Sequence, residues 1–240
     1  MEMVGTVIAP AEAKAIPPLE NGDRLSAHEF LRRCEAMPEL KKAELIQGTV
    51  YMPPPVRLTE HAEPDNLIQS WLGYYSIYTP GTKAGTGATA RLGPDDVPQP
   101  DALLRVLPEC GGRSRVDAKG YLQGPPELVA EIAASSVSID AGAKRQSYRR
   151  AGVLEYLLWR TQDAAVDWWM LEEDEYRPLV PHAQGVIRSR VFPGLWLNVR
   201  ALLADDGRRL LATLERGLKD PAHAEFLARL RAGSGSQCSG

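Results

Sequence analysis

The sequence predicts a mixed α/β domain, a sheet flanked by helices whose last strands run antiparallel, and three observations carry that prediction. Two short apolar runs, 102–106 and 127–134, read as buried strands. Helical spacing recurs outside them, at Leu67, Ile68, Trp71, Leu72 and Tyr75 and again over residues 141–151. Past that second stretch, the apolar and aromatic runs 154–159 and 165–171 read as strands late in the sheet.

Residues 1–22 are rich in Ala and Pro and carry the breakers Pro17, Pro18 and Gly22, so they read as a loosely ordered arm. The domain proper begins near Asp23. Ser26 and Glu29 have capping-box spacing ahead of Phe30 and Leu31, and the short helix they open ends near Pro38. Gly48 between two short apolar runs predicts a hairpin or bent strand over 43–52, opened by Glu44 and stopped by Pro53, Pro54 and Pro55. A polar segment with His61 leads to the helix around 66–75, which Pro80 and Gly81 close.

Residues 86–92 and 102–106 are expected as strands separated by the turn-rich 93–100, with Asp101 at the entrance of the second. The Gly-rich, charged stretch 108–125 reads as a surface connection of a length that is often functional. After strand 127–134, Asp140 or a nearby serine is expected to cap a helix over 141–151, with Gly152 as its stop. Weaker strands are expected near 177–180 and 186–191, and Asp220 and Pro221 start a last helix. The chain thus divides into a flexible arm 1–22, a main domain 23–203, a helical appendage 204–232 and a disordered tail 233–240, with no internal repeat.

Composition narrows the classes without choosing one. With 240 residues, 44% apolar and 25% charged, the chain can bury a core and is not wholesale disordered. A net charge of -3 means that any polyanion must meet locally placed cations. Cys34, Cys110 and Cys238 show no CxxC spacing and no disulfide framework, so a reducing cytoplasm is the expected setting. No apolar stretch reaches about 18 residues, and no basic segment precedes an apolar run at the N-terminus, so neither membrane insertion nor secretion is expected.

The chemistry concentrates between Gln99 and Tyr148. A buried strand face normally excludes acids, so Glu131 among Val129, Ile132, Ala133 and Ala134 needs a reason, and a metal ion supplies one. Asp101 on the other apolar run, with Lys144 and Tyr148 one turn apart on the following helix, completes the outline of a divalent-metal phosphodiester-cutting site. Each residue has a plainer role as its alternative. Asp101 could cap a turn, Glu44 could be a strand-end charge, and Lys144 could face water beside Arg145, Arg149 and Arg150. Tyr148 reads as a packing or orienting residue, and Trp159, Trp168, Trp169 and Trp196 as core or subunit interface.

The order of motifs resembles the putative restriction endonuclease family within the PD-(D/E)XK nuclease superfamily, over about residues 26–203. The resemblance rests on Ser26-Ala-His-Glu-Phe-Leu, Ala43-Glu-Leu-Ile-Gln-Gly, Met52-Pro-Pro-Pro with His61 downstream, and Gln99-Pro-Asp101. It continues through Pro126-Glu-Leu-Val-Ala-Glu131-Ile, Asp140 with Lys144 and Tyr148, Arg150-Ala-Gly-Val-Leu-Glu-Tyr-Leu-Leu-Trp159 and Phe192-Pro-Gly-Leu-Trp196. It implies a restriction-endonuclease-like α/β/α core, with Asp101 and Glu131 as metal ligands and Glu44 helping from the side. The superfamily lysine two residues after the second acid is replaced by Ala133, and the resemblance points to Lys144 as the substitute.

The same resemblance implies Mg2+, with Mn2+ as the alternative ion, a nucleic-acid substrate read as DNA, 5′-phosphate products and no nucleotide cofactor. A homodimer is expected, because two related sites most simply cut two strands. The competing expectation is a catalytically degenerate nuclease-fold protein acting in nucleic-acid binding or protein interaction, favoured by the negative charge and Ala133. An enzyme acting on a small phosphoester is the third. No helix-turn-helix or zinc finger is evident, so specificity is expected from loops such as 108–125.

Overall fold

A computed structural model describes residues 15–235. The Ser26 hydroxyl accepts from the Glu29 amide and opens α1 (Ala27–Glu35), which buries Phe30 and Leu31. The Glu29 carboxylate does not reach back as the capping box predicts. It takes Arg32 and Arg33 at 2.7–2.8 Å, because paired guanidinium bonds outweigh one amide bond. Next comes the hairpin of β1 (Glu44–Ile46) and β2 (Thr49–Tyr51), turned by Gln47 and Gly48 with φ of 52° and 74°, the left-handed pair that a two-residue hairpin loop demands.

A π-helical turn over Leu58–Ala62 winds into α2 (Glu63–Tyr78), which wholly buries Ile68, Trp71, Leu72 and Tyr75. Then follow β3 (Thr82–Thr86), β4 (Ala90–Arg91) and β5 (Ala102–Val106). The strand expected at 86–92 is displaced: β3 pairs with β5 along its whole length, and only Ala90–Arg91 are extended further on. The sequence Thr-Lys-Ala-Gly-Thr has weak strand propensity, and its full antiparallel ladder with β5, in which Gly85 sits opposite Leu103, holds it as an edge strand. The 108–125 stretch holds the short strands β6 (Arg115–Val116) and β7 (Leu122–Gln123), which join β4 in a small sheet.

β8 (Leu128–Ala133) buries all six residues. Its crossover to the parallel strand β9 (Glu155–Arg160) runs through α3 (Val137–Ile139), a π-helical turn over Asp140–Lys144 and α4 (Arg145–Ala151), stopped by Gly152 at φ 83°. β10 (Ala165–Glu172) and β11 (Glu175–Pro178) return antiparallel, and β12 (Val186–Arg188) pairs with β13 (Trp196–Asn198). The six-stranded sheet reads β11-β10-β9-β8-β5-β3, with β8 and β9 its one parallel pair.

Alternation along β8 sorts the layers. Leu128, Ala130 and Ile132 face the α2 layer with Leu104, Leu157 and Trp168, while Val129 and Ala133 face α4 with Tyr148 and Tyr156. Helices therefore cover both faces of a mixed sheet, the predicted α/β/α architecture. Trp159 and Trp168 are buried in this core, the latter edge-on to Trp71 at 5.8 Å. The chain closes with α5 (Val199–Leu203), α6 (Gly207–Leu218) and α7 (Pro221–Gly235), and Leu210, Leu214, Phe226 and Leu230 join the α2-side core. The outer parts of the expected arm and tail, 1–14 and 236–240, lie outside the described residues. Among the described residues no helix is long and apolar enough to cross a membrane.

Candidate active site

The β5–β8 ladder ends at Ala102↔Ala130, so Asp101 stands one step further, opposite Glu131. Asp101 closes that end of the ladder with its side chain: Oδ2 accepts from the Ile132 amide at 2.9 Å. Glu131 points with Val129 and Ala133 toward the crossover helix and is 1% exposed. There Tyr148 donates its hydroxyl to Glu131 Oε1 at 2.6 Å, and Lys144 Nζ lies 2.8 Å from the same oxygen.

Lys144 gathers two more acids, Glu44 at 3.1 Å and Asp140 at 3.3 Å. Glu44 arrives from β1, held by the Gln99 amide at 2.7 Å and by the Leu45–Val97 bridge beside it. All four sequence-predicted residues, Glu44, Asp101, Glu131 and Lys144, thus meet at one place. Asp140 corrects the expectation that it caps the helix. The helix begins at Val137, and Asp140 is buried inside it, hydrogen-bonded by Ser136 and facing Lys144 one turn on. A buried ammonium needs carboxylates around it, and that need places Asp140 in the interior.

Two residues join that the motifs did not single out for the site or left uncertain. Lys42 Nζ sits 3.0 Å from Asp101 Oδ1, and His61 Nε2 sits 3.3 Å from Asp101 Oδ2. The signal for Lys42 was its spacing: two residues before Glu44 in an extended segment, it shares that residue's side. Asp65 follows His61 by one helical turn, and its Oδ1 and the His61 Nδ1 are buried with no hydrogen-bond partner. The cluster opens into a cleft of about 910 Å³, walled by Pro53, Pro54, Pro55 and Arg57 on one side and Ser136 and Ile139 on the other.

Burial and neighbouring charge together set each group's proton. At Asp101 burial works to raise the pKa, but the His61 hydrogen bond and then Lys42 and Lys144 carry it well below the ordinary range. His61 is pushed up by its bond to Asp101, against burial. Burial drives Glu131 well above its usual value; Lys144 opposes that, and Asp101, Asp140 and Glu44 reinforce it. For Lys144 burial disfavours the charge, yet Glu131 and Glu44 more than compensate, so its pKa rises well above that of a free lysine. Asp140 is raised by burial despite Lys144 and Ser136.

Four acids therefore crowd around two lysines, an excess of negative charge at the floor of a cleft. The donor set is all oxygen, which suits a hard divalent ion. Among the described residues no three or more His, Cys, Asp or Glu side chains are grouped so that together they could hold a metal ion. Mg2+ asks for less, one or two carboxylates with water and phosphate completing its shell.

The arginines beside Lys144 and the cations of 108–125 have partners of their own. Arg145 lies over the Trp169 ring at 5.1 Å, Arg149 bonds the Asp174 carbonyl and Glu175, and Arg150 pairs with Asp96 at 3.0 Å. In the 108–125 stretch, Arg113 bonds the Gly152 carbonyl and lies 3.7 Å from Glu127, while Lys119 pairs with Glu35.

Comparison with known proteins gives a family and a fold. The family described as Uma2, putative restriction endonuclease, matches residues 27–200. Among solved structures, the chain is similar to a putative nuclease belonging to DUF820 from Anabaena variabilis, with a TM-score of 0.57 and 16% identity, over 75% of this chain and 98% of that one. No curated protein matches significantly.

Proposed function

This chain belongs to the Uma2 family of putative restriction endonucleases, and from that premise we propose that it is a metal-dependent endonuclease hydrolysing phosphodiester bonds of DNA. One observation carries the reading: acids from three separate elements, Glu44, Asp101 and Glu131, converge with buried Lys144 at the floor of a cleft. Asp101 and Glu131 would hold Mg2+, or Mn2+ in its place, with Glu44 supporting them from the side. When bound, the ion acidifies a water and offsets charge on the phosphoryl group.

The protein's own residues do the rest. Lys144 stays protonated among its acids and stabilises the charge that builds on the phosphorus oxygens. Tyr148 and Lys144 both hold the same oxygen of Glu131, Oε1, and so fix the carboxylate. Ile132 holds Asp101 in line through its amide, so the acid's direction is set by the sheet. A homodimer, one site per strand, and a cytoplasmic setting belong to the same reading.

A nuclease-fold protein that binds nucleic acid without cutting it is the second reading. It is favoured by the lysines and His61 that already neutralise the acids. Calorimetric titration with Mg2+, alongside plasmid nicking, separates the two. Ion binding and nicking that are both lost in Asp101→Ala and Glu131→Ala establish the endonuclease. Ion binding that survives both substitutions, or none in the wild type, leaves the binding protein.

A further inference from the structure

The two lysines at the site are held very differently. Lys144 is 4% exposed and contacts three carboxylates within 3.3 Å. Lys42 is 31% exposed and contacts one, Asp101, at 3.0 Å. Removing the Lys144 ammonium would strand several buried acids, whereas the Lys42 contact is a single half-open ion pair of modest worth.

The two oxygens of Asp101 differ in the same sense. Oδ2 is committed to the Ile132 amide and to His61, and the amide cannot leave without opening the sheet. Oδ1 has Lys42 as its partner. A cation that arrives at Asp101 therefore meets one replaceable neighbour.

Lys42 also has somewhere to go. Beside the main cleft, under α1, lies a second cavity of about 260 Å³ whose walls include Lys42 itself with Glu35, Thr89, Gln99 and Tyr121. Lys42 borders both spaces, one lined by acids and the other mainly by apolar side chains of α1 and the segment after it, with Thr89, Gln99, Tyr121, Lys41 and a Glu35 carboxylate already paired with Lys119.

We propose that Lys42 is a resident counter-cation that competes with the divalent ion for Asp101 Oδ1, setting the ion affinity of the site and withdrawing toward the second cavity when the ion binds. The proposal rests on the reading of Asp101 as an ion ligand. It makes Lys42 a positioning residue: its charge keeps the empty acid cluster intact and raises the ion concentration needed to load it.

The test is calorimetric titration of the full chain with Mg2+ and with Mn2+, alongside the thermal midpoint at increasing ion concentration, for wild type, Lys42→Met, Lys41→Met and Asp101→Asn. Lys41 is exposed beside Lys42 and removes the same net charge. Lys42→Met is expected to bind the ion about tenfold more tightly, the scale of one partly solvated charge a few ångströms away. Lys41→Met should stay within about twofold of wild type, because its charge is screened, and Asp101→Asn should lose the site. Lys42→Arg, which keeps the charge and pairs more firmly with a carboxylate, should bind more weakly than wild type.

If Lys42→Met binds no more tightly than wild type while Asp101→Asn still abolishes binding, the competition idea is overturned and the ion reading stands. If neither wild type nor Lys42→Met binds an ion, the ion reading itself falls, and this inference with it.

Discussion

The two ends of the β8–β9 pair both bury acids and use them for opposite purposes. At the C-terminal end of β8, Asp101, Glu131, Glu44 and Asp140 face lysine ammonium groups and a cleft. At the N-terminal end, Glu127 and Glu155 are held chiefly by backbone amides, with the Arg113 guanidinium a further 3.7 Å from Glu127. Glu127 accepts from the amides of Val106 and Arg113 at 2.8 and 3.2 Å. Glu155, 0% exposed, accepts from the Ser189 hydroxyl at 2.8 Å and from the amides of Arg190 and Val191 at 2.7 and 3.1 Å.

An acid whose oxygens are filled by amides has finished its work, because those donors are fixed by the chain. An acid whose partners are side-chain cations beside open space can exchange them for an ion. Burial alone does not separate the two cases, whereas the kind of partner does.

The widest gap between the ends should appear in activity. Asp101→Asn and Glu131→Gln are expected to lower the nicking rate by about 10²–10³-fold or more while the protein stays folded. Glu127→Gln and Glu155→Gln should remain within a few-fold of wild type. The comparison breaks if a folded Glu155→Gln protein is as inactive as Glu131→Gln.

Stability gives the next contrast. Lys144→Met strands Glu131, Glu44 and Asp140 in the interior and should cost about 3–5 kcal/mol by urea unfolding. Glu155→Ala leaves one hydroxyl and two amides without their acceptor and should cost about 2–3 kcal/mol, loosening the 189–192 segment that leads to β13. Equal costs for Lys144→Met and an exposed control such as Lys41→Met would mean that the cation cluster is not a buried unit.

Sequence reasoning reached the first end and was silent about the second, for a physical reason. Glu131 drew notice as an acid in an apolar strand, yet Glu155, followed by Tyr156, Leu157, Leu158 and Trp159, satisfies the same criterion and is structural. What differs lies about 35 residues away, in the Arg190 and Val191 amides, and no local pattern encodes that approach. The strong periodic stretches, α2 and the β8 and β9 runs, were legible because burial dictates them. The edge strand β3 was not, since what holds it is its ladder with another strand, β5.

Helix geometry hid the rest. Both π-helical turns carry site residues, His61 in one and Asp140 with Lys144 in the other, and such turns are frequent at functional sites yet leave no sequence mark. Lys42 had its strand spacing to Glu44 as a signal, but nothing in the sequence says that Asp101, 59 residues on, meets it.

The last predicted effect is one of pH, spread over several units, and it belongs to the silent end. Burial raises the Glu155 carboxyl from 4.5 to about 7, against the pull of Ser189 and the two amides, and among the described residues no ion pair offsets it. Below about 4.5 both folded and unfolded chains hold this proton, so its contribution is flat. Between 4.5 and 7 the folded protein keeps a proton that the unfolded chain has released, so stability falls as pH rises, by at most about 1.4 kcal/mol per unit. Above 7 both are ionised and the loss is complete. Asp101, Glu131, Asp140 and His61 of the active end are shifted as well, so the measurement is a difference: urea unfolding of wild type and Glu155→Gln at intervals from pH 4.5 to 8. The gap between the two should change in Glu155→Gln's favour as pH rises to 7 and then level off. A gap that stays constant across this range would place a charged carboxylate at Glu155 throughout, and the backbone donors there would then do for an anion what the lysines do at the other end of the sheet.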